Sequence, residues 1–219
     1  MRTKIIYEDS HILVCYKPAG LATQTSHVGQ PDVVSELRNY LGKGAYLGVI
    51  HRLDQPVEGL LVFAKTKDAA AKITGQLSGG TLNKRYYALI CGKPSEKAGR
   101  LVNYLVKEGS VGRVGSAEEK EAKCAVLQYE ILQDWDGEYS LADIRIETGR
   151  FHQIRLQMAY AGHPILGDQK YGSLTSQECS CKKQIKNVAL CAYALELLHP
   201  VSKKKMHFSV EASFMEKQS

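Results

Sequence analysis

The alternation of apolar and polar positions divides the chain into short β-type runs and two clear amphipathic helices. Residues 4–8 and 12–16 read as two strands with Asp9-Ser10 between them. Lys17-Pro18-Ala19-Gly20 is a turn signal and leads into a polar loop over 22–29. Asp32 then caps a predicted helix that carries Val33, Val34, Leu37, Tyr40 and Leu41 on one face and ends at Gly42 and Gly44. The apolar run 59–63 predicts a buried strand, and Thr66-Lys67-Asp68 opens a second helix over 69–77, stopped by Gly79-Gly80. Strands follow at 84–90, 99–106, 122–132 and 138–148, with a polar, glycine-rich connection at 109–121. Residues 149–162 read as a strand end turning into a helix, with His152, Arg155 and Ala159 on one face. A Ser/Cys/Lys loop over 173–187 and β-type runs at 188–198 and 206–214 complete the chain. Strands outnumber helices and are joined by hairpin-length turns as often as by helices. That predicts an α+β fold with a mixed, largely antiparallel sheet and flanking helices. No repeat or linker interrupts it, so a single domain over 1–219 is expected.

Composition narrows the class without naming a function. The 219 residues are 44% hydrophobic and 24% charged, ordinary globular values with ample length for a core. The net charge of +6 suits a polyanionic partner but is also what solvated lysines give. The N-terminus has no apolar leader and no stretch is long enough to span a bilayer, so a cytoplasmic protein without a membrane partner is expected. Of six cysteines only Cys179 and Cys181 are close, at a spacing unlike that of a zinc knuckle. Reduced thiols and no metal site are the expectation.

The stretch with chemical content is 49–65, which opens with His51-Arg52-Leu53-Asp54 and bends at Gln55-Pro56. Pro56 lacks an amide hydrogen and restricts the residue before it, so the chain turns after Asp54. A carboxylate on a turn beside Arg52 and His51, supported by an apolar strand, is a way of presenting a charge in a cleft. A surface turn capped by its own Asp gives the same pattern. Phosphate-binding glycine loops, nucleophile elbows and His-Glu-x-x-His helices are absent, and the seven histidines share no metal spacing. What remains is Asp54 with Arg52, Arg150, Arg155, Tyr86 and Tyr87. An ionised Asp paired to Arg serves as nucleophile or base without a metal.

His51-Arg52-Leu53-Asp54 followed by Gly59-Leu60-Leu61-Val62-Phe63-Ala64-Lys65 closely resembles the catalytic motif of RluA-type pseudouridine synthases. The resemblance extends to Lys17-Pro18-Ala19-Gly20, Lys84-x-Tyr86-x-Ala88, Gly149-Arg150-x-His152-Gln153-Ile154-Arg155 and Gly167-Asp168-x-x-Tyr171-Gly172. It implies that family's catalytic fold with a central RNA-binding cleft, and cofactor-free isomerisation of uridine to pseudouridine in ribosomal or transfer RNA. By the resemblance, Asp54 attacks the flipped-out nucleotide at uracil C6 or ribose C1′ and Arg52 fills the space left in the RNA. Tyr86 stacks on the base, and Arg155 pairs with Asp54. Leu60 and Leu61 line the dry wall of the pocket, while Arg150 and His51 stand on the substrate side, His51 chiefly orienting its turn. The partner implied is a structured RNA stem-loop read by shape, with no nucleotide cofactor and a monomer as default. By the resemblance, a chain that starts at the catalytic fold, without the small S4-like domain of many relatives, is the expectation. It departs from the family pattern at Val57, Glu58, Phe151 and Cys191. A non-catalytic RNA-binding protein and a metal-dependent RNA hydrolase are the alternatives from other classes.

Overall fold

The structure, a computed structural model, describes residues 1–25 and 29–215. Of the polar loop expected over 22–29, residues 26–28 therefore lie outside the described residues. In chain order the elements are β1 (Lys4–Glu8), β2 (Ile12–Lys17), α1 (Val33–Leu41), β3 (Gly48–Val49), β4 (Glu58–Ala64) and α2 (Lys67–Ser78). They continue with β5 (Asn83–Cys91), β6 (Ala98–Glu108), β7 (Val111–Gly115), β8 (Lys123–Trp135), β9 (Tyr139–Ile146) and α3 (Gln153–Tyr160). The last are α4 (Leu174–Lys182), β10 (Leu190–Leu198) and β11 (Lys205–Ser209). The mixed α/β fold with mostly antiparallel strands agrees with the expectation. The chain divides into two compact units, Met1–Lys84 with Cys191–Ser219, and Arg85–Leu190.

In the first unit the strand order is β1-β2-β4-β10, with β3 added to β4 and β11 to β10. β4 is central: β2 runs antiparallel on one side, from Ile12↔Ala64 to Lys17↔Gly59, and β10 runs parallel on the other. A strand covered on both faces reads as an unbroken apolar run, and all seven β4 residues are buried. Gly59 sits at φ +128, and a Cβ there would lie 2.5 Å from the Ala192 backbone, so β10 can approach only a glycine. Leu60, Val62 and Ala64 join Ile12, Val14 and the Ala69 and Ile73 side chains of α2 in one core.

Both helices of this unit start where their caps require. Asp32 accepts from the Ser35 amide at 2.6 Å and Thr66 from the Ala69 amide at 3.1 Å. The apolar face expected on α1 is narrower than its sequence suggests. Val33, Val34 and Leu37 are buried, whereas Tyr40 is exposed and its hydroxyl donates to Glu8.

The second unit orders its strands β5-β9-β8-β6-β7, all antiparallel. Two elements here were expected to be loops. β7 falls inside the polar connection, where its glycines hid it: a Cβ on Gly112 would lie 2.8 Å from Leu156 Cδ1, so the missing side chain makes room for α3. α4 falls inside the Ser/Cys/Lys stretch, which lacks apolar periodicity. It is held by a Ser173 cap and by buried Ser180, whose hydroxyl accepts the Gly167 amide at 2.8 Å. In the first unit, the final β-type run also stops early, at Ser209.

Candidate active site

The Asp54 turn is clamped from behind by the Lys17–Gln24 segment. The turn itself closes with the Val57 amide donating to the Asp54 carbonyl at 3.0 Å. Thr23 satisfies both backbone groups of Leu53: its hydroxyl donates to the Leu53 carbonyl at 2.9 Å and receives the Leu53 amide at 3.1 Å. Lys17 is fully buried, and its ammonium donates to the carbonyls of Leu21, Pro18 and Gln55 at 2.6, 3.1 and 3.1 Å. Burial pushes the Lys17 amine down to about 8, opposed by the negative charges of Asp54 and Glu58. A buried cation therefore stands behind the turn that carries Asp54.

His51 is buried, and its Nε2 accepts the Val62 amide of β4 at 3.3 Å. That bond ties the motif to its supporting strand. Burial, and then the charge of Lys84, hold the imidazole well below its ordinary pKa, so it is neutral. Arg52 is exposed beside the turn, with Nη2 donating to Gln24 at 3.1 Å. Asp54 is half-buried.

Leu60 and Leu61 do not share one wall. Successive residues on a strand point to opposite faces, and Leu60 packs in the core against α2. Only one of the two is able to face a pocket. The departures Glu58 and Cys191 are register partners across β4 and β10. Glu58 is buried and accepts from the Tyr16 hydroxyl at 2.9 Å and from the Ser213 amide and hydroxyl, each at 2.7 Å. Burial, followed by the Glu58 charge, raises the Cys191 thiol far above its usual range. Glu58 thus anchors the C-terminal segment through Ser213, while Cys191 is buried in β10 opposite it.

In the second unit Tyr86 is buried on β5, paired in register with Ile144 of β9. Arg155 is buried on α3 and makes a bidentate pair with Asp168, Nε to Oδ2 at 2.7 Å and Nη2 to Oδ1 at 2.8 Å. Sequence reasoning quoted Asp168 in a motif but gave it no part. Its carboxylate also accepts the Lys170 and Tyr171 amides at 3.0 and 3.2 Å. Burial raises its pKa, but the hydrogen bond and charge of Arg155 outweigh that and hold the carboxyl below its ordinary value. The Arg155 guanidinium lies 5.1 Å from the Tyr171 ring centre, and the Tyr171 hydroxyl bonds His152 Nδ1 at 2.6 Å.

α3 is seated by its glutamines. Gln153 accepts Thr148 and Arg150 and donates to the Val126 carbonyl; Gln157 donates to Leu101, Asn103 and Ala125. His152 precedes the helix at φ 51 without a side-chain cap. Arg150 is exposed, with Nε donating to the Cys124 carbonyl at 2.9 Å. Phe151, another departure, stacks on His152 at 3.7 Å. Asp54 and His51 thus belong to one unit, and Tyr86 and Arg155 to the other.

Two human proteins have this architecture. RNA Pseudouridylate Synthase Domain Containing 4 superposes with a TM-score of 0.79 at 24% identity, covering 98% of this chain and 91% of its own. RNA Pseudouridylate Synthase Domain Containing 1 gives 0.76 at 21%, covering 95% and 83%. The fold is therefore that of pseudouridylate synthase domains. The family model described as RNA pseudouridylate synthase matches residues 11–160, and the chain belongs to that family of isomerases. Ribosomal large subunit pseudouridine synthase D of Zymomonas mobilis is 32% identical over 220 residues, which is 95% of this chain and 68% of the relative. Ribosomal large subunit pseudouridine synthase C of Rickettsia conorii is 34% identical over 170 residues, 77% of this chain. The chain spans 56% of that second relative's length.

Proposed function

We propose that this protein isomerises uridine to pseudouridine in large-subunit ribosomal RNA, with Asp54 as nucleophile on a flipped-out nucleotide. The observation that carries the reading is the Asp54 turn, sewn to a buried strand by His51 and to the preceding segment by Thr23 and Lys17. So many bonds to the backbone and neighbours of one half-buried carboxylate are more than a solvated turn needs, and they fix the turn that would present a nucleophile. Choosing ribosomal over transfer RNA follows the names of the relatives.

In this reading the glycosidic bond at C1′ breaks, uracil turns, and C5 bonds to C1′. C5 loses its proton and N1 gains one, so atoms balance without a redox partner. Flipping costs a few kcal/mol, which contacts to the extruded base and to the gap in the RNA must return. Tyr86 stacks on the uracil, Arg52 occupies the gap, and Arg150 meets the backbone. Arg155 engages Asp168 with two of its five donors. Attack at C6 and attack at C1′ both fit these roles.

The test is pseudouridine mapping of ribosomal and transfer RNA from a deletion strain of the source organism, complemented with wild type or Asp54→Ala. A large-subunit site lost on deletion, restored by wild type and not by Asp54→Ala, is expected. Identical maps in all three strains refute the reading, and a lost site in transfer RNA corrects the substrate. Purified protein should also act in chelator on RNA that keeps its length.

A further inference from the structure

Lys84, on β5 at the edge of the first unit, has no part in the reading above. It is partly buried, and among the described residues its ammonium has no hydrogen-bond or ion-pair partner. Burial alone pushes the amine down to about 8. The fold therefore carries a partly desolvated positive charge that none of the described residues repays. His51, whose imidazole feels the charge of Lys84, cannot repay it either. With Nε2 accepting the Val62 amide, the neutral ring holds its proton on Nδ1, and Nδ1 is itself a buried donor without an acceptor. Two donors here, the Lys84 ammonium and His51 Nδ1, thus lack an acceptor among the described residues. Lys84 also precedes Tyr86 by two positions, so strand alternation puts both on one face of β5.

We propose that Lys84 is a phosphate-binding residue, and that a phosphodiester next to the flipped uridine is its missing counter-ion. This deepens the proposed function and rests on it. The argument for an anion is charge. A uracil carbonyl would give the ammonium one hydrogen bond but no compensating charge, and the only anionic groups of an RNA nucleotide are its phosphodiesters. Exposed lysines such as those at 203–205 have water for this purpose; Lys84 does not have it in full. The cation is costly in the free protein and is satisfied in the complex, a separation expected of a binding residue and not of a structural one.

That separation defines the test. Lys84→Met is placed in an Asp54→Asn background, so that binding is read without turnover. The probe is a protein-free transcript of the source organism's large-subunit ribosomal RNA, titrated from 50 to 300 mM KCl on the order of the range where phosphate contacts dominate. Expected are a higher Tm, RNA affinity lower by about tenfold, and a salt slope shallower by about 0.7–0.9, the share of one phosphate contact. Lys84→Gln, which keeps a donor but not the charge, should show the same shallower slope. Unchanged affinity and slope overturn the proposal. So does a fall in Tm with an unchanged slope, which makes Lys84 a structural residue. Because these readouts do not require catalysis, failure here is distinct from failure to find pseudouridine made by the wild type.

Discussion

Removing Asp168 should be among the most damaging single changes in the second unit, and the structure says by how much. Its side chain is 1% exposed and that of Arg155 is 5% exposed. Asp168→Ala would remove the carboxylate that accepts from Arg155 Nε and Nη2 and from the amides of Lys170 and Tyr171. Removing one partner of a buried ion pair costs about 3–5 kcal/mol. In a chain of this size each kcal/mol lowers Tm by about 2–4 °C, so a fall of roughly 6–20 °C is expected. The double variant Arg155→Met/Asp168→Leu removes both charges and should recover most of that loss, while remaining inactive. Differential scanning calorimetry on the two single variants, the double variant and wild type completes the cycle.

The pH dependence follows with a definite sign. The folded carboxyl lies below its unfolded value of 3.8. Its stabilisation is therefore present above that value and is lost as pH falls through the folded one. Wild type should lose this part of its Tm in acid, and the double variant should not. A double variant no more stable than Asp168→Ala would refute the pairing argument.

Two further outcomes follow from packing and burial. Gly59→Ala should cost at least about 2 kcal/mol, through strained φ and collision with the β10 backbone, read as loss of soluble protein or a lower Tm. In native thiol titration with an aromatic disulfide, exposed Cys181 should react first and half-buried Cys124 next. Cys15, raised to about 12 by burial, and Cys191 should react only on unfolding; rapid reaction of four or more thiols would contradict the core as described.

Much of the molecule was determined by the sequence alone, because its signals are local. Asp32 and Thr66 cap their helices where the pattern puts them, and the apolar run after Pro56 becomes the central strand. The His51–Asp54 motif marked the candidate site before any coordinate was known. Tertiary structure decided the rest, because the relevant forces act between residues distant in sequence. Glycines that read as loop in β7 are there so that α3 can approach. Serines that read as loop in α4 are buried hydrogen-bonding groups, satisfied by the Gly167 turn. Glu58 and Cys191, departures from the family pattern when read singly, are opposed across two parallel strands. Asp168 is invisible as a partner until Arg155 is seen beside it, since a buried charge is explained only by what neutralises it. Lys84 is the converse case: the proposed phosphate contact rests on a counter-charge that the described residues do not supply.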